Sequence, residues 1–343
     1  MSSLVRRARA KARLLTQRTL ASRGYELVPH DDPDRQWRHE FVDESVPLPP
    51  GAAEELQADN PRLVELQRAY AALDWPVVVH SRWTPENFEV WLDLARFRGD
   101  NSYVWHYREN PRVSELKFFV FSEYIARTDD RGLLDVLTED GAFGCWTYHY
   151  PGRPRCSRDL LDAVNELNFL HRHTGLLDRP GLRVLDIGAG YGRLAHRTEA
   201  AADVADYCCV DAIPQSTFLS EWYTAHRGIA PPVRVVALPD VPDLEPGSFD
   251  VAVNVHSFSE CTLGAITWWL EHLRRLDVPT FFLVPNEAEG FLSLEADGSR
   301  LDYLPAIEAA GYRLVVEERA FRDDAVRELL DVQDRHCLFQ REG

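Results

Sequence analysis

The apolar positions of this chain follow two regimes. From about residue 62 to 175 they recur mainly at spacings of three and four, the period of helices packed on one face. After Pro180-Gly181 they gather into short runs separated by helical stretches. These runs predict seven strands: Arg183 to Ile187, Tyr207 to Ala212, Val233 to Leu238, Phe249 to Val255, Thr280 to Pro285, Tyr312 to Glu318 and His336 to Gln340. Helices fit at 191–202, 214–226, 264–276, 302–310 and 323–332. Strands alternating with helices in this order predict an α/β, Rossmann-like parallel sheet.

The pattern divides the chain into four parts. Residues 1–28 read as a basic amphipathic helix, with Leu4, Ala8, Ala12, Leu15 and Thr19 on one stripe and Gly24 able to stop it. Residues 29–61, rich in Pro, Asp and Glu, read as a linker. Residues 62–175 form an N-terminal mainly helical accessory domain, which would cap the substrate, and 176–343 form the sheet domain. The last accessory helix starts near Ser157 and carries Leu160, Leu161, Val164, Leu167 and Leu170 on its apolar face.

Composition narrows the picture. Hydrophobic residues make up 45% and aromatics 11%, which excludes a disordered chain. No apolar run reaches the roughly 18 residues that span a bilayer, so a soluble protein is expected. Six cysteines without CxxC pairing, and a start lacking an apolar signal segment, predict a cytoplasmic location. The net charge is −17, yet residues 1–23 hold seven basic residues and no acid. The remainder carries 31 basic against 55 acidic residues, a body that repels phosphate backbones and argues against a nucleic-acid partner. The basic helix is open to two readings: packing on its own body, or docking to an anionic membrane surface or acidic partner.

The first strand of the sheet domain carries the chemistry. Val184-Leu185-Asp186-Ile187 runs into Gly188-Ala189-Gly190-Tyr191-Gly192 and then into a helix opened by Arg193. Glycines there let the backbone turn sharply and let a ligand lie against it. A dinucleotide fingerprint would want a third glycine at position 193, which is Arg. An acid directly before the glycines suits S-adenosylmethionine (SAM), whose amino-acid end carries an ammonium group. Nineteen residues after Gly192, Asp211 ends the second strand, where a carboxylate can accept from both ribose hydroxyls. The alternative for Asp211 is a helix cap ahead of Pro214. The expected cofactor-binding set is Asp186, Gly188, Ala189, Gly190, Gly192, Arg193, Asp211, Ala212, Leu238 and Asn254.

Strand four ends in Asn254-Val255-His256-Ser257-Phe258-Ser259-Glu260, and the carboxyl ends of central strands form the ligand crevice of an open α/β sheet. His256 has a pKa suited to taking a proton from an acceptor hydroxyl, and Glu260 would orient its ring. The bland alternatives are a structural histidine and a helix-start acid. Asn286, at the end of strand five, is a third candidate for substrate contact. A divalent metal would find His256, Glu260 and Asn286 as potential ligands, but no compact carboxylate cluster accompanies them, and none is predicted. The aromatic runs Tyr103 to Arg108 and Phe143 to Tyr150 are either core or flat faces for a sugar ring.

These segments together resemble the bacterial sugar O-methyltransferases, a group within the class I SAM-dependent methyltransferases. The residues that carry the resemblance are Glu139 to Gly144, Ser157 to Asp162, Asn165 to Leu170, Gly188 to Arg193, Val210-Asp211-Ala212-Ile213-Pro214, Asn254 to Glu260 and Trp268-Trp269-Leu270, spanning about 100 to 320. The resemblance implies a seven-stranded class I methyltransferase sheet and transfer of a methyl group from SAM to a hydroxyl of a sugar or glycoside. The rival readings are a nitrogen or other small-metabolite acceptor, a SAM-binding scaffold without turnover, and a dinucleotide oxidoreductase. A homo-oligomer remains open. The Asn-x-Pro-Tyr type motif of amide and adenine N-methyltransferases is absent, since His256 and Ser257 stand there.

Overall fold

The structure, a computed structural model, describes residues 45–84, 87–88, 92–99, 103 and 111–342. All lie in the unit His39–Gly343. The basic helix expected over 1–28, with its membrane or partner contacts, and the linker up to residue 44 lie outside the described residues.

Nine α-helices and seven strands run through the described residues. The helices are α1 (Ala52–Glu55), α2 (Pro61–Ala71), α3 (Pro111–Thr128), α4 (Arg158–Thr174), α5 (Arg193–Ala201), α6 (Pro214–Arg227), α7 (Leu263–Leu276), α8 (Leu304–Ala309) and α9 (Asp324–Leu330). The strands are β1 (Leu182–Ile187), β2 (Val204–Val210), β3 (Val233–Val236), β4 (Val251–Val255), β5 (Thr280–Val284), β6 (Tyr312–Arg319) and β7 (Arg335–Arg341). They form one sheet in the order β3-β2-β1-β4-β5-β7-β6. This is the Rossmann-like sheet of the class I methyltransferase fold.

Strand residues alternate between two apolar layers, as a period of two requires. Leu185, Ile187, Ala252, Phe281 and Leu283 face the layer covered by α2, α6 and α7. Val184, Val251, Val253, Phe282 and Val284 face the layer covered by α3, α4 and α5. Helix α4 starts where the Ser157 hydroxyl accepts from the N–H of Leu160 at 3.1 Å, and ends at Gly175 in the left-handed conformation.

One strand departs from the sequence expectation of a parallel sheet. β7 lies antiparallel to both β5 and β6. The connection between β6 and β7 carries only the 7-residue α9, about 10 Å of helix against about 26 Å for the eight-residue β6, and the chain turns back beside β6 instead of crossing to the far edge. The start of β7 therefore sits at the same edge as the carboxyl ends of β1 to β5.

Candidate active site

The glycine turn is held open by its backbone. Gly188, Gly190 and Gly192 all have positive φ, at 71°, 58° and 86°, a region other residues enter at a cost. A Cβ at Gly188 would lie 2.4 Å from the Cβ of Ser257, so the end of β4 packs directly on the turn. The N–H groups of Gly188 and Ala189 donate to the carbonyl of Val210 at 2.9 and 3.2 Å, tying the turn to the end of β2. There Asp211 accepts from the N–H of Gly190 at 3.0 Å and from that of Ile213 at 2.9 Å. The turn and Asp211 thus form one cradle.

Aromatic residues cover it. The Tyr103 ring would touch a Cβ at Gly190 at 3.0 Å, and its hydroxyl lies 3.0 Å from that of Ser216. Trp83 stacks on Tyr103 with centroids 5.8 Å apart. From α2, the Tyr70 hydroxyl bonds Thr217 of α6 at 2.8 Å and accepts from the N–H of Leu238 at 2.9 Å, joining α6 to the segment after β3. Ala212 is nearly buried, and the Leu238 side chain is wholly buried in the core rather than on the cradle surface.

The electrostatics of the cradle are unusual. Burial pushes the carboxyl of Asp186 up to about 7, against one hydrogen bond from the Tyr207 hydroxyl at 2.9 Å. Burial also pushes Asp211 up to about 7, against the backbone N–H groups that it accepts from. Among the described residues neither carboxylate has a salt-bridge partner. A buried acid without a cation resists ionising. Both therefore present an unmet demand for positive charge beside the glycine turn.

At the end of β4, His256 adopts a left-handed φ of 64°, and its N–H donates to the carbonyl of Val284 at 2.8 Å. Its Nε2 lies 3.2 Å from a carboxylate oxygen of Asp334, with 28% of the His256 side chain exposed. Burial favours the neutral ring, but the charge and hydrogen bond of Asp334 outweigh it and hold the imidazole above its usual range. The carboxylate beside the His256 ring is thus Asp334, not Glu260. Glu260 faces the other way, accepting from the Trp83 indole at 2.7 Å and pairing with Arg82 at 3.1 Å, close enough to Asp211 to push that carboxyl up.

Asn254 is fully buried and spends both ends of its amide on backbone, donating to the Ile187 carbonyl at 2.8 Å and accepting from the Phe258 N–H at 3.0 Å. It clamps β4 to β1 rather than facing a ligand. Arg193 sends Nη2 to both oxygens of Glu166 at 2.9 Å, and its buried Nη1 has no hydrogen-bond partner. Asn286 stands beside the site, its N–H donating to the Ser259 hydroxyl at 3.0 Å. Among the described residues no group of histidine, cysteine and carboxylate side chains is arranged to hold a metal ion.

No family model matches the chain, and no curated protein matches it. Solved structures do. The cyclase SpnF is similar over 67% of this chain and 94% of its own, at 14% identity and a TM-score of 0.42. The Burkholderia thailandensis 1,6-didemethyltoxoflavin-N1-methyltransferase, bound to S-adenosylhomocysteine, is similar over 68% and 89%, at 20% identity and a TM-score of 0.39. A SAM-dependent methyltransferase from Mesorhizobium loti is similar over 52% and 98%, at 14% identity and a TM-score of 0.38. No substrate follows from them. The sheet order itself carries the fold assignment.

Beneath the turn lies a buried network that sequence reasoning missed. Arg98 pairs with Glu139 at 2.8 Å and Asp159 at 3.1 Å, and Arg197 pairs with the same two acids at 2.9 and 2.7 Å. All four side chains are at most 3% exposed. The Tyr191 hydroxyl, from within the glycine run, donates to Asp159, and the Ser157 hydroxyl donates to Glu139 at 2.6 Å. Among the described residues two buried acids face two buried guanidiniums, and the half-exposed Asp140 adds a carboxylate 3.3 Å from Arg98. The members of the cluster belong to segments 92–99 and 138–145 and to helices α4 and α5, and they fix the cradle from below. The one sequence signal was that Glu139, Asp159 and Tyr191 fall inside the runs that carry the resemblance.

Proposed function

We propose that the protein is a SAM-dependent O-methyltransferase that methylates a hydroxyl of a sugar, nucleotide-linked or within a glycoside. The observation that carries the donor half is the pair of desolvated carboxylates, Asp186 and Asp211, beside the glycine turn. An anionic pyrophosphate would be repelled there, whereas a ligand bearing ammonium and sulfonium charges meets the demand of the site. Asp211 would accept from the ribose hydroxyls, Asp186 would face the ammonium end, and the glycine backbone would support the chain between them. When bound, SAM supplies an electrophilic methyl group and leaves as a neutral thioether.

The acceptor half rests on His256 and on the resemblance. The ring stands at the carboxyl end of a central strand, partly exposed and held by a carboxylate, as a group that removes a hydroxyl proton must be. The sugar comes from the resemblance alone.

Calorimetry with SAM and S-adenosylhomocysteine tests the donor half, and absence of binding would sink the reading. A labelled-methyl assay across activated sugars and glycosides tests the acceptor half. Transfer only to nitrogen, or tight binding without turnover, would replace the O-methyl reading. Replacing His256 by Ala should lower turnover about 100-fold or more while SAM affinity is nearly kept. Unchanged turnover would remove His256 from the chemistry.

A further inference from the structure

We propose that Asp334, contributed by the start of the antiparallel strand β7, is the residue that positions His256 and balances the proton it takes from the acceptor. The inference rests on the O-methyl reading above and adds to it the residue on which the base depends.

Topology makes the contact. The glycine turn, Asp211, His256, Glu260 and Asn286 come from the carboxyl ends of parallel strands or the loops after them. β7 runs the opposite way, so the residue just before it, Asp334, arrives at that same edge. His256 is turned toward it by its left-handed backbone, an uncommon conformation for a non-glycine residue and one that clusters at functional sites. The N–H bond to Val284 fixes the ring's root on β5.

The surrounding charges give the contact its sense. From α4, Arg158 faces Asp334 at 3.9 Å and pairs with Asp162 at 3.0 Å, while Glu166 is held by Arg193 of α5. From β7, His336 is pushed down to about 3 by burial and stays neutral. The described charges around the ring are therefore three carboxylates, Asp162, Glu166 and Asp334, against two guanidiniums, Arg158 and Arg193. Among these described groups the carboxylates outnumber the guanidiniums by one. A proton on His256 offsets that excess. With Nε2–H donated to Asp334, the lone pair on Nδ1 is left to accept the hydroxyl proton, and the imidazolium then returns that proton to water.

Two readouts test this. The titration of the His256 ring is followed by NMR, its signal assigned by its loss in His256→Gln, in the native chain and in Asp334→Asn and Asp334→Glu. The pH profile of kcat/KM is measured on the same proteins. In Asp334→Asn the ring should titrate at lower pH, the acid limb of the profile should move down with it, and kcat should fall about tenfold or more with KM for SAM little changed. Asp334→Glu, which keeps the charge, should recover part of both. A His256 titration that does not move in Asp334→Asn overturns the proposal, and so does a moved titration with unaltered kcat and acid limb. A native chain that binds no SAM overturns the methyl-transfer reading and the catalytic part of this one, while the NMR titration still decides whether Asp334 governs the ring.

Discussion

The residues that decide the donor site are the two carboxylates of the cradle, and their titration gives them a measurable signature. Each is pushed up to about 7 by burial, so at that pH each is about half protonated. A cationic ligand favours the ionised form, so its binding must expel protons, on the order of one per site near pH 7 when both acids are counted. Calorimetric titration with SAM in buffers of different ionisation enthalpy should report that release, and affinity should weaken as pH falls below about 7. Asp211→Asn should cost about 10- to 100-fold in affinity and lower the release, since it removes a charged acceptor. Binding heats that are independent of the buffer would refute the cationic reading. The placing of Asp186 and Asp211 beside the glycine turn was legible in the sequence because the turn joins the end of one strand and Asp211 ends the next. Asp334 was not, because it lies 78 residues from His256 and only the direction of β7 brings it near. The burial of Asn254 and Leu238 was not legible for a related reason: position at a strand end says which edge a residue occupies, not how deeply its side chain is packed.

At the level of elements, alternation and spacing made most of the sheet readable. All seven strands fall where the apolar runs put them, most plainly β1, β4 and β5, whose burial on both faces cannot hide their composition, while β6 is largely exposed. What periodicity does not encode is pairing direction, and so the turn-back of β7 was invisible. Nor does it encode ion pairs such as Arg98 with Asp159, which are 61 residues apart. That buried network joins α4 and α5 to the floor of the glycine turn. Arg98→Met should therefore destabilise the protein by about 3–5 kcal/mol in urea unfolding, because it leaves two buried carboxylates sharing the single guanidinium of Arg197. A loss below about 1 kcal/mol would mean that the cluster relaxes or admits water.

For the whole molecule, pH acts through two opposed sets of acids. Burial pushes Glu139 and Asp159 up, but Arg98 and Arg197 outweigh it and hold both low. Their contribution to stability is present above the unfolded range of about pH 4 and is lost as pH falls through their folded values. Asp186 and Asp211 act with the other sign, weakening the ligand-free fold as pH rises from about 4 to 7. Ligand binding reverses that second effect, so a fixed SAM concentration a hundredfold over its Kd at pH 7 should add about 2.7 kcal/mol there and raise Tm, more at pH 8 and less at pH 6, where Kd is weaker. A Tm unmoved by SAM at both values would count against the donor site. The buried quartet also constrains descent. A lineage that loses one of Arg98, Glu139, Asp159 or Arg197 inherits an uncompensated charge in its interior, so relatives of this chain should keep all four or have exchanged them as a set, and single replacements among them should be rare.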